Sequence, residues 1–340
     1  MVHPSNVRRH RALFATAALL IASITAASIV LSAQAPAPIR LVSTPWSPFT
    51  NAAGQPRFAL DLVEAALGRI GVTSTTTIVA PAAFTPALLG SAYDGSGAAW
   101  KDAERENLLV FSEPYMENRL VLVGRKGADV SATSLAAVKG KRVAIVEGYS
   151  YGAIESAGPV FVKASGEEDG LTRVLHGDAD YVLMDELVVS FLVNNYPEES
   201  RTKIEIGKAP LVSRPLHLAI RRSRPDAEGI IRRFNAQLKT MIVDRTYHKL
   251  LHVDWIWAQV GETGQVALIP AGDYAGQKPP DRAYTLLSQS RTDTTTKSKG
   301  FFIGGTIYPD WAAVPNKYKV EDPKYPDYRK STASLFKFVW

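Results

Sequence analysis

The sequence predicts an α/β protein, and three stretches carry that expectation. The mature part opens as strand, turn and helix: IRLVST (Ile39 to Thr44), the turn-rich PWSPFTN, then FALDLVEAALGRIG. The second, VKGKRVAIVEGYSYGAIES, reads as a polar turn, a buried strand from Arg142 to Glu147, a glycine-bounded loop and the start of a helix. The third, VLHGDADYVLMDELVVSFLV, gives a turn at Gly177-Asp178, a short strand from Tyr181 to Leu183, and a helix starting near Asp185. Strands alternating with amphipathic helices are what a parallel, helix-covered sheet requires.

The elements follow from periodicity and punctuation. IRLVST alternates as a strand does, and Leu60, Val63, Leu67 and Ile70 share one helical face that Gly71 is placed to end. The YDGSG stretch (Tyr93 to Gly97) reads as a loop, and RLVLVG (Arg119 to Gly124) as a strand followed by a connector holding Gly124 and Gly127. PLHLAIRR supplies another strand, Pro225-Asp226 opens a helix over IIRRFNAQLKTMIV, and YHKLLHVDWIW reads as a short closing helix that ends the body near residue 260. Beyond Val260 the composition turns polar in TDTTTKSKG, then rich in Lys, Tyr and Pro, with aromatic-flanked turns at Tyr308 (YPDW) and Tyr325 (YPDY). This 261–340 extension has no role that can be read, and packing on the body, a small separate module and partial disorder all remain open.

Composition narrows the classes. With 340 residues, 46% hydrophobic and 21% charged, the chain is long enough for two domains or lobes. The absence of cysteine excludes a disulfide, a thiolate metal site and a cysteine nucleophile. The net charge of +6 comes largely from the N-terminus and the tail, and the other basic residues are dispersed among acids, so no nucleic-acid partner is expected. Arg8, Arg9 and Arg11 precede an apolar run from Ala12 to Leu31, so residues 1–35 read as a signal peptide or an anchor. The small-x-small Ala33-Gln34-Ala35 favours cleavage nearby, although Pro36 is a poor neighbour for a cut. No second run of membrane-spanning length follows.

Four pieces in order, PWSPF, the Glu104-Arg105 pair followed by FSEPY, KGKRVAIVEG and GDADYVLMDE, resemble the family 3 extracellular solute-binding proteins, the polar amino-acid receptors of ABC importers. The resemblance covers about Ile39 to Trp257. It implies the two-lobed type 2 periplasmic binding-protein fold, with two crossover strands and the ligand between the lobes. Lobe 1 would comprise residues 39–124 plus 216–260, and lobe 2 residues 125–215. It further implies that Arg105 grips a ligand carboxylate, Ser150 in GYSYG adds anion contacts, Trp46 covers the ligand side chain, and Asp185 receives an ammonium. Three of these have a structural alternative: Arg105 in a Glu-Arg-Glu surface cluster, Trp46 as core, and Asp185 as the N-cap of its helix, a role it can fill while aimed at the cleft. Asp185 interrupts the otherwise apolar YVLMDELVVSFL, where a buried carboxylate needs a partner.

The chain also departs from the pattern. Ser43 stands where related receptors often carry aspartate, Ala98 and Trp100 stand where small hydroxyl residues commonly line the site, and Arg57-Phe58-Ala59 replaces the usual Gly-Phe-Asp. The expected ligand is therefore an amino acid or related solute with an apolar, aromatic or cationic portion lying against Trp46 or Trp100. The expected partner is an inner-membrane ABC permease, with no cofactor and no metal, the receptor itself acting as a periplasmic monomer. The chain contains no GxxxxGK[ST] phosphate loop, so transport energy would come from a partner ATPase.

Other chemistries compete. GYSYG has the G-x-S-x-G form, with Asp178 or Asp185 and His217 or His248 following in hydrolase order, but no HGGG-like segment precedes it. A dehydratase on the same scaffold, resembling the cyclohexadienyl dehydratases, would need a cleft acid such as Glu147 or Glu186. A sensor ectodomain is a third class, for which neither a second membrane span nor a signalling domain is seen. His248 and His252 have metal-ligand spacing, yet Lys249 occupies the place where a zincin would carry glutamate.

Overall fold

Alternating strand and helix along the first half of the chain is what a computed structural model shows; it describes residues 37–321 except 47, 148, 150, 152–153, 155, 261–264, 280–282 and 286–299. β1 (Ile39–Ser43) leads through the PWSPF turn into α1 (Phe58–Arg69), followed by β2 (Ser74–Ile78), α2 (Pro81–Leu89), β3 (Gly95–Trp100), α3 (Ala103–Leu108) and β4 (Leu109–Phe111). The long β5 (Met116–Arg125) precedes β6 (Arg142–Val146), β7 (Val160–Ala164), α4 (Glu167–His176), β8 (Tyr181–Asp185), α5 (Glu186–Asn195), α6 (Pro197–Lys203) and β9 (Ile204–Ile206). The equally long β10 (Val212–Arg221) returns to α7 (Ala227–Val243) and α8 (Thr246–Leu251). Then come β11 (Trp255–Val260), β12 (Gln265–Pro270), β13 (Tyr284–Thr285), β14 (Phe301–Ile303) and β15 (Thr306–Tyr308). The expected leader lies outside the described residues, and among the described ones no helix is long and apolar enough to cross a membrane.

The main sheet runs β2-β1-β3-β10-β5-β8-β6-β7, with β4 added on β10 and β9 on β5. Its two halves share one plan. In the first, parallel β2-β1-β3 meets antiparallel β10, which also takes β4; in the second, parallel β7-β6-β8 meets antiparallel β5, which also takes β9. β5 and β10 join the halves. They pair with each other over Met116 to Leu120 and Val212 to Leu216, then diverge, β5 onto β8 from Leu120 and β10 onto β3 from Leu216. Two crossover strands between two α/β halves of like order make this the two-lobed type 2 fold.

The helices cover the sheet by the faces their sequences offer. α1 buries Phe58, Ala59, Leu60, Leu62, Val63, Ala66 and Leu67, each large side chain stabilising the fold by roughly 1.5–3 kcal/mol. Gly71 ends this turn at φ 73°, in the left-handed region that suits glycine, as the sequence suggested.

Two expectations are corrected. The YDGSG loop gives way at Gly95 to the fully buried strand β3. Glycine serves there for close approach: a Cβ on Gly95 would collide with the Ala219 carbonyl, and one on Gly97 would sit 3.1 Å from Leu60 Cδ2. The start of a helix expected in GAIES after the GYSYG loop falls largely outside the described residues. The closing helix stops at Leu251, because His252 turns left-handed at φ 54°, and Trp255-Ile256-Trp257 continues as strand.

That strand begins a second sheet, β13-β11-β12-β14-β15, built mostly from the extension. Its own core gathers Trp255, Trp257, Leu268, Phe301 and Val314. It is tied to the main body at the crossover, where the Tyr284 hydroxyl accepts from Glu117 N (2.9 Å) and donates to Glu117 O (2.9 Å). It is tied again through Arg245, which reaches Pro270 O and Asp273.

Candidate functional site

A cavity of ≈ 350 Å3 opens at the carboxyl ends of β1 and β3, where the first half of the sheet faces the second. Ligands of open α/β sheets bind at strand carboxyl ends. β1 and its turn supply Ser43, Thr44, Trp46 and Thr50, and α2 supplies Phe84 and Thr85; β3 adds Ala98 and Trp100, α3 adds Arg105, and the loop after β6 adds Tyr149. A larger hollow of ≈ 420 Å3 lies beside α5 and β13, where Arg119 pairs with Glu186, and none of the expected binding residues line it.

The PWSPF turn holds Trp46 in place. Trp46 N donates to Thr50 O at 2.7 Å, Trp46 O accepts from Phe49 N and Thr50 N at 2.8 Å each, and Thr50 Oγ1 donates to Thr44 O at 2.6 Å. The indole is 9% exposed and packs on Phe49, Trp100 and Tyr149 at centroid distances of 4.6, 5.7 and 5.3 Å. Core filling and cavity lining are thus one placement. Trp100 donates from Nε1 to Asn118 Oδ1 at 3.1 Å, and the Arg214 guanidinium rests over its ring at 5.3 Å.

Arg105 is no surface residue, being 7% exposed. Asp102 caps α3 by accepting from Arg105 N at 2.9 Å and pairs with Arg105 Nε at 3.2 Å. Nη1 donates to Trp100 O at 2.8 Å and Nη2 to Thr85 Oγ1 at 3.3 Å. Each terminal nitrogen keeps one further N–H, a fork suited to a carboxylate.

Asp185 does not line the cavity. It caps α5, its Oδ1 accepting from Leu187 N at 2.7 Å, while Oδ2 accepts from Asn118 Nδ2 at 3.1 Å and Arg119 N at 3.0 Å. The carboxylate that interrupted an apolar run therefore finds partners within the chain and fills the N-cap role that the sequence allowed beside a ligand contact. Burial still pushes its pKa up to about 7 against the pull of the Leu187 and Asn118 donors. Ser150 lies outside the described residues.

Sequence reasoning passed over two residues, Tyr149, which lines the cavity, and Glu167, which is buried near Trp46 without lining it. Tyr149 closes the cavity from the second half of the sheet; GYSYG was read for its serine and amides, not for its rings. Glu167, the first residue of α4, is 8% exposed, and its pKa is pushed up to about 8, chiefly by burial and then by the charge of Asp185. The Trp46 indole lies close enough to favour the ionised form, yet neither Trp46 Nε1 nor Glu167 Oε2 makes a hydrogen bond of good geometry. Oε2 is thus a buried acceptor without a donor. In the sequence Glu167 sits in a run Glu167-Glu168-Asp169 that reads as an ordinary acidic helix start.

The competing chemistries find little here. Glu147 is largely exposed and pairs with Lys163 at 3.3 Å, and Glu186 pairs with Arg119 at 2.9 Å beside the other hollow. His217 Nδ1 bonds Ser112 O at 2.8 Å and His248 Nε2 bonds Ile269 O at 3.0 Å, both away from the cavity. Burial holds the His248 pKa down to about 4. Among the described residues no group of three His, Cys, Asp or Glu could hold a metal ion.

Comparison with known proteins agrees with this geometry. The family model of bacterial extracellular solute-binding proteins, family 3, matches residues 41–256. The GluR0 ligand-binding core from Nostoc punctiforme, solved in complex with L-glutamate, superposes with a TM-score of 0.51 at 22% identity, covering 63% of this chain and 97% of that one. An ancestral arginine-binding protein bound to arginine gives 0.50 at 24% identity, over 63% and 96% of the two chains. An arginine 3rd transport system periplasmic binding protein from Legionella pneumophila gives 0.50 at 20%, over 63% and 98%. At such identities the likeness establishes the fold. No curated protein matches the chain. Because the family match takes in more than half of the sequence and spans both halves of the main sheet, the protein belongs to the bacterial extracellular solute-binding proteins, family 3.

Proposed function

We propose that this protein is the periplasmic substrate-binding component of an ABC importer and carries an amino acid or related zwitterion between two lobes that close on it. The observation that carries the reading is the cavity, in which Arg105 offers a carboxylate fork beside the facing rings of Trp46, Trp100 and Tyr149. Relatives of the same fold were solved with L-glutamate and with arginine, ligands of this chemical class. Lobe 1 is taken as residues 39–124 with 216–260 and lobe 2 as 125–215, with β5 and β10 as the two crossover strands; because β5 already pairs with β8 from Leu120, its crossing is placed a few residues ahead of that boundary, between Met116 and Leu120. Closure is hinge motion about those strands, driven by a ligand that contacts both lobes and so favours the closed state.

Tryptophan fluorescence titration of the purified protein with the common amino acids is the test, since Trp46 and Trp100 line the cavity. Saturable binding is expected, with apolar, aromatic or cationic side chains preferred over aspartate and glutamate. Arg105→Ala should weaken that binding by about 10- to 100-fold. Wild-type affinity in that variant would remove Arg105 from the site. A second reading, a dehydratase on this scaffold, draws support from Glu167, a buried carboxyl that keeps its proton to higher pH than usual. Incubation with prephenate or arogenate separates the two, and product formation would make this an enzyme.

A further inference from the structure

We propose that the hollow between α5 and the second sheet is a second small-molecule site, taking a molecule with an apolar body and an uncharged oxygen acceptor, such as a carboxamide, that bonds Arg119. The hollow shares no lining residue with the cavity at Arg105, so the inference stands apart from the solute-binding reading.

At ≈ 420 Å3 the hollow is larger than that cavity, which measures ≈ 350 Å3. Three parts of the chain wall it: Arg119 comes from the crossover strand β5, Leu187 and Val193 from α5, and Trp255, Ala283 and Tyr284 from the second sheet. Ala283 and Tyr284 lie beyond residue 256, where the family match stops, so the hollow is completed by the extension. Its lining is largely apolar, and Val193 is left 40% exposed in it. An apolar body seated there removes that surface from water. Concave, mostly apolar space with a few convergent polar groups is the usual form of a small-molecule site.

Arg119 is the polar group that gives the hollow its selectivity. The residue is 2% exposed and firmly held: its backbone N donates to Asp185 Oδ2 at 3.0 Å, its Nε donates to Glu186 Oε2 at 2.9 Å, and the Tyr284 ring lies 5.0 Å from the guanidinium. Nη1 is nevertheless buried without a hydrogen-bond partner. A buried N–H left unpaired is unfavourable, and an acceptor carried into the adjoining hollow relieves it. What Nη1 lacks is an acceptor and not a counter-charge. Glu186 already pairs with the guanidinium, and Asp254 stands in the same lining, so a carboxylate would enter beside two acids. An ammonium would bring no acceptor to Nη1 at all. An uncharged carbonyl oxygen meets the requirement without either conflict, and Ser190 and Asn194, also in the lining, add uncharged polar groups beside it.

Calorimetry on the full chain with probes that share one body and differ in the head, 4-phenylbutanamide, 4-phenylbutanoate and 4-phenylbutylammonium, is the test. The amide should bind with a Kd of about 1 mM or tighter, and about fivefold or more tighter than either charged form. Arg119→Lys keeps a cation for Glu186 but removes Nη1, and should weaken the amide by about tenfold or more. Val193→Trp, at a position open to solvent, should fill the hollow and abolish binding of the amide, and it serves if the first variant is unstable. Arg105→Ala, in the separate cavity, should leave the amide's affinity within about twofold. The inference is overturned if the amide does not bind the wild type, if a charged head binds as tightly, or if the amide's affinity survives Arg119→Lys or Val193→Trp. Loss of amide binding in Arg105→Ala would also overturn it, by moving the probe to the cavity. The amino-acid titration judges the solute-binding proposal separately, so either can fail while the other stands.

Discussion

Two carboxyl groups, Asp185 and Glu167, show how burial divides one residue chemistry into two roles. Asp185 is satisfied by Leu187 N, Asn118 and Arg119 N, so its loss leaves three donors without an acceptor in a dry place. Asp185→Ala should lower the unfolding free energy by about 2–4 kcal/mol, combining a lost cap with unsatisfied donors; urea denaturation measures this. Glu167 has the opposite character. Its folded-state pKa of about 8 lies above the ordinary 4.5, so the folded protein holds the proton more tightly than the unfolded chain does. Stability attached to that proton is full at acid pH and is lost as pH rises from about 4.5 through 8. Glu167→Gln cannot ionise, so the melting temperature of the ligand-free variant should gain on the wild type steadily across that window, and a gap that narrows with rising pH would contradict the assignment. The seam at Asp185 is legible in the sequence because a carboxylate in an apolar run demands explanation. Glu167 is not, because an acid in the first turn of a helix is ordinary and only the tertiary packing decides which of three neighbouring acids faces inward.

At the scale of elements, legibility followed periodicity. β1, α1, β6, β8 and α7 have clean apolar spacing and stand within a few residues of where the sequence puts them. β3 was hidden by its glycines, which look like punctuation but serve close packing at the centre of the first half-sheet. Gly95→Ala should destabilise the protein by about 2 kcal/mol or more, because the new Cβ meets backbone that cannot move aside. Gly97→Ala meets side-chain ends alone, Leu60 Cδ2 nearest at 3.1 Å, and should cost clearly less. Equal unfolding midpoints for the two would show that the strand tolerates displacement. The PWSPF turn was legible as a turn, and its resemblance to a ligand-covering segment pointed to Trp46. What local sequence could not give is that Trp46 meets Trp100 and Tyr149, since those contacts join residues 54 and about 100 positions apart.

For the whole molecule, the order of strand-helix units announced an α/β protein, and four short motifs together announced the two-lobed plan. The extension gave no such signal, because its strands are three to six residues or shorter and its polar stretches resemble linkers. Its described part is nevertheless joined to the working core. The Tyr284 ring lies 5.0 Å from the Arg119 guanidinium, and its hydroxyl takes both backbone groups of Glu117, on the strand that passes from one lobe to the other. The extension is thus fastened to the strand on which lobe closure is proposed to turn, through a donor and an acceptor contact at one residue. Tyr284→Phe, which removes only those two contacts, should therefore change the affinity for a solute without altering a residue that lines the cavity, and unchanged affinity in a binding titration would leave the extension a passive cover.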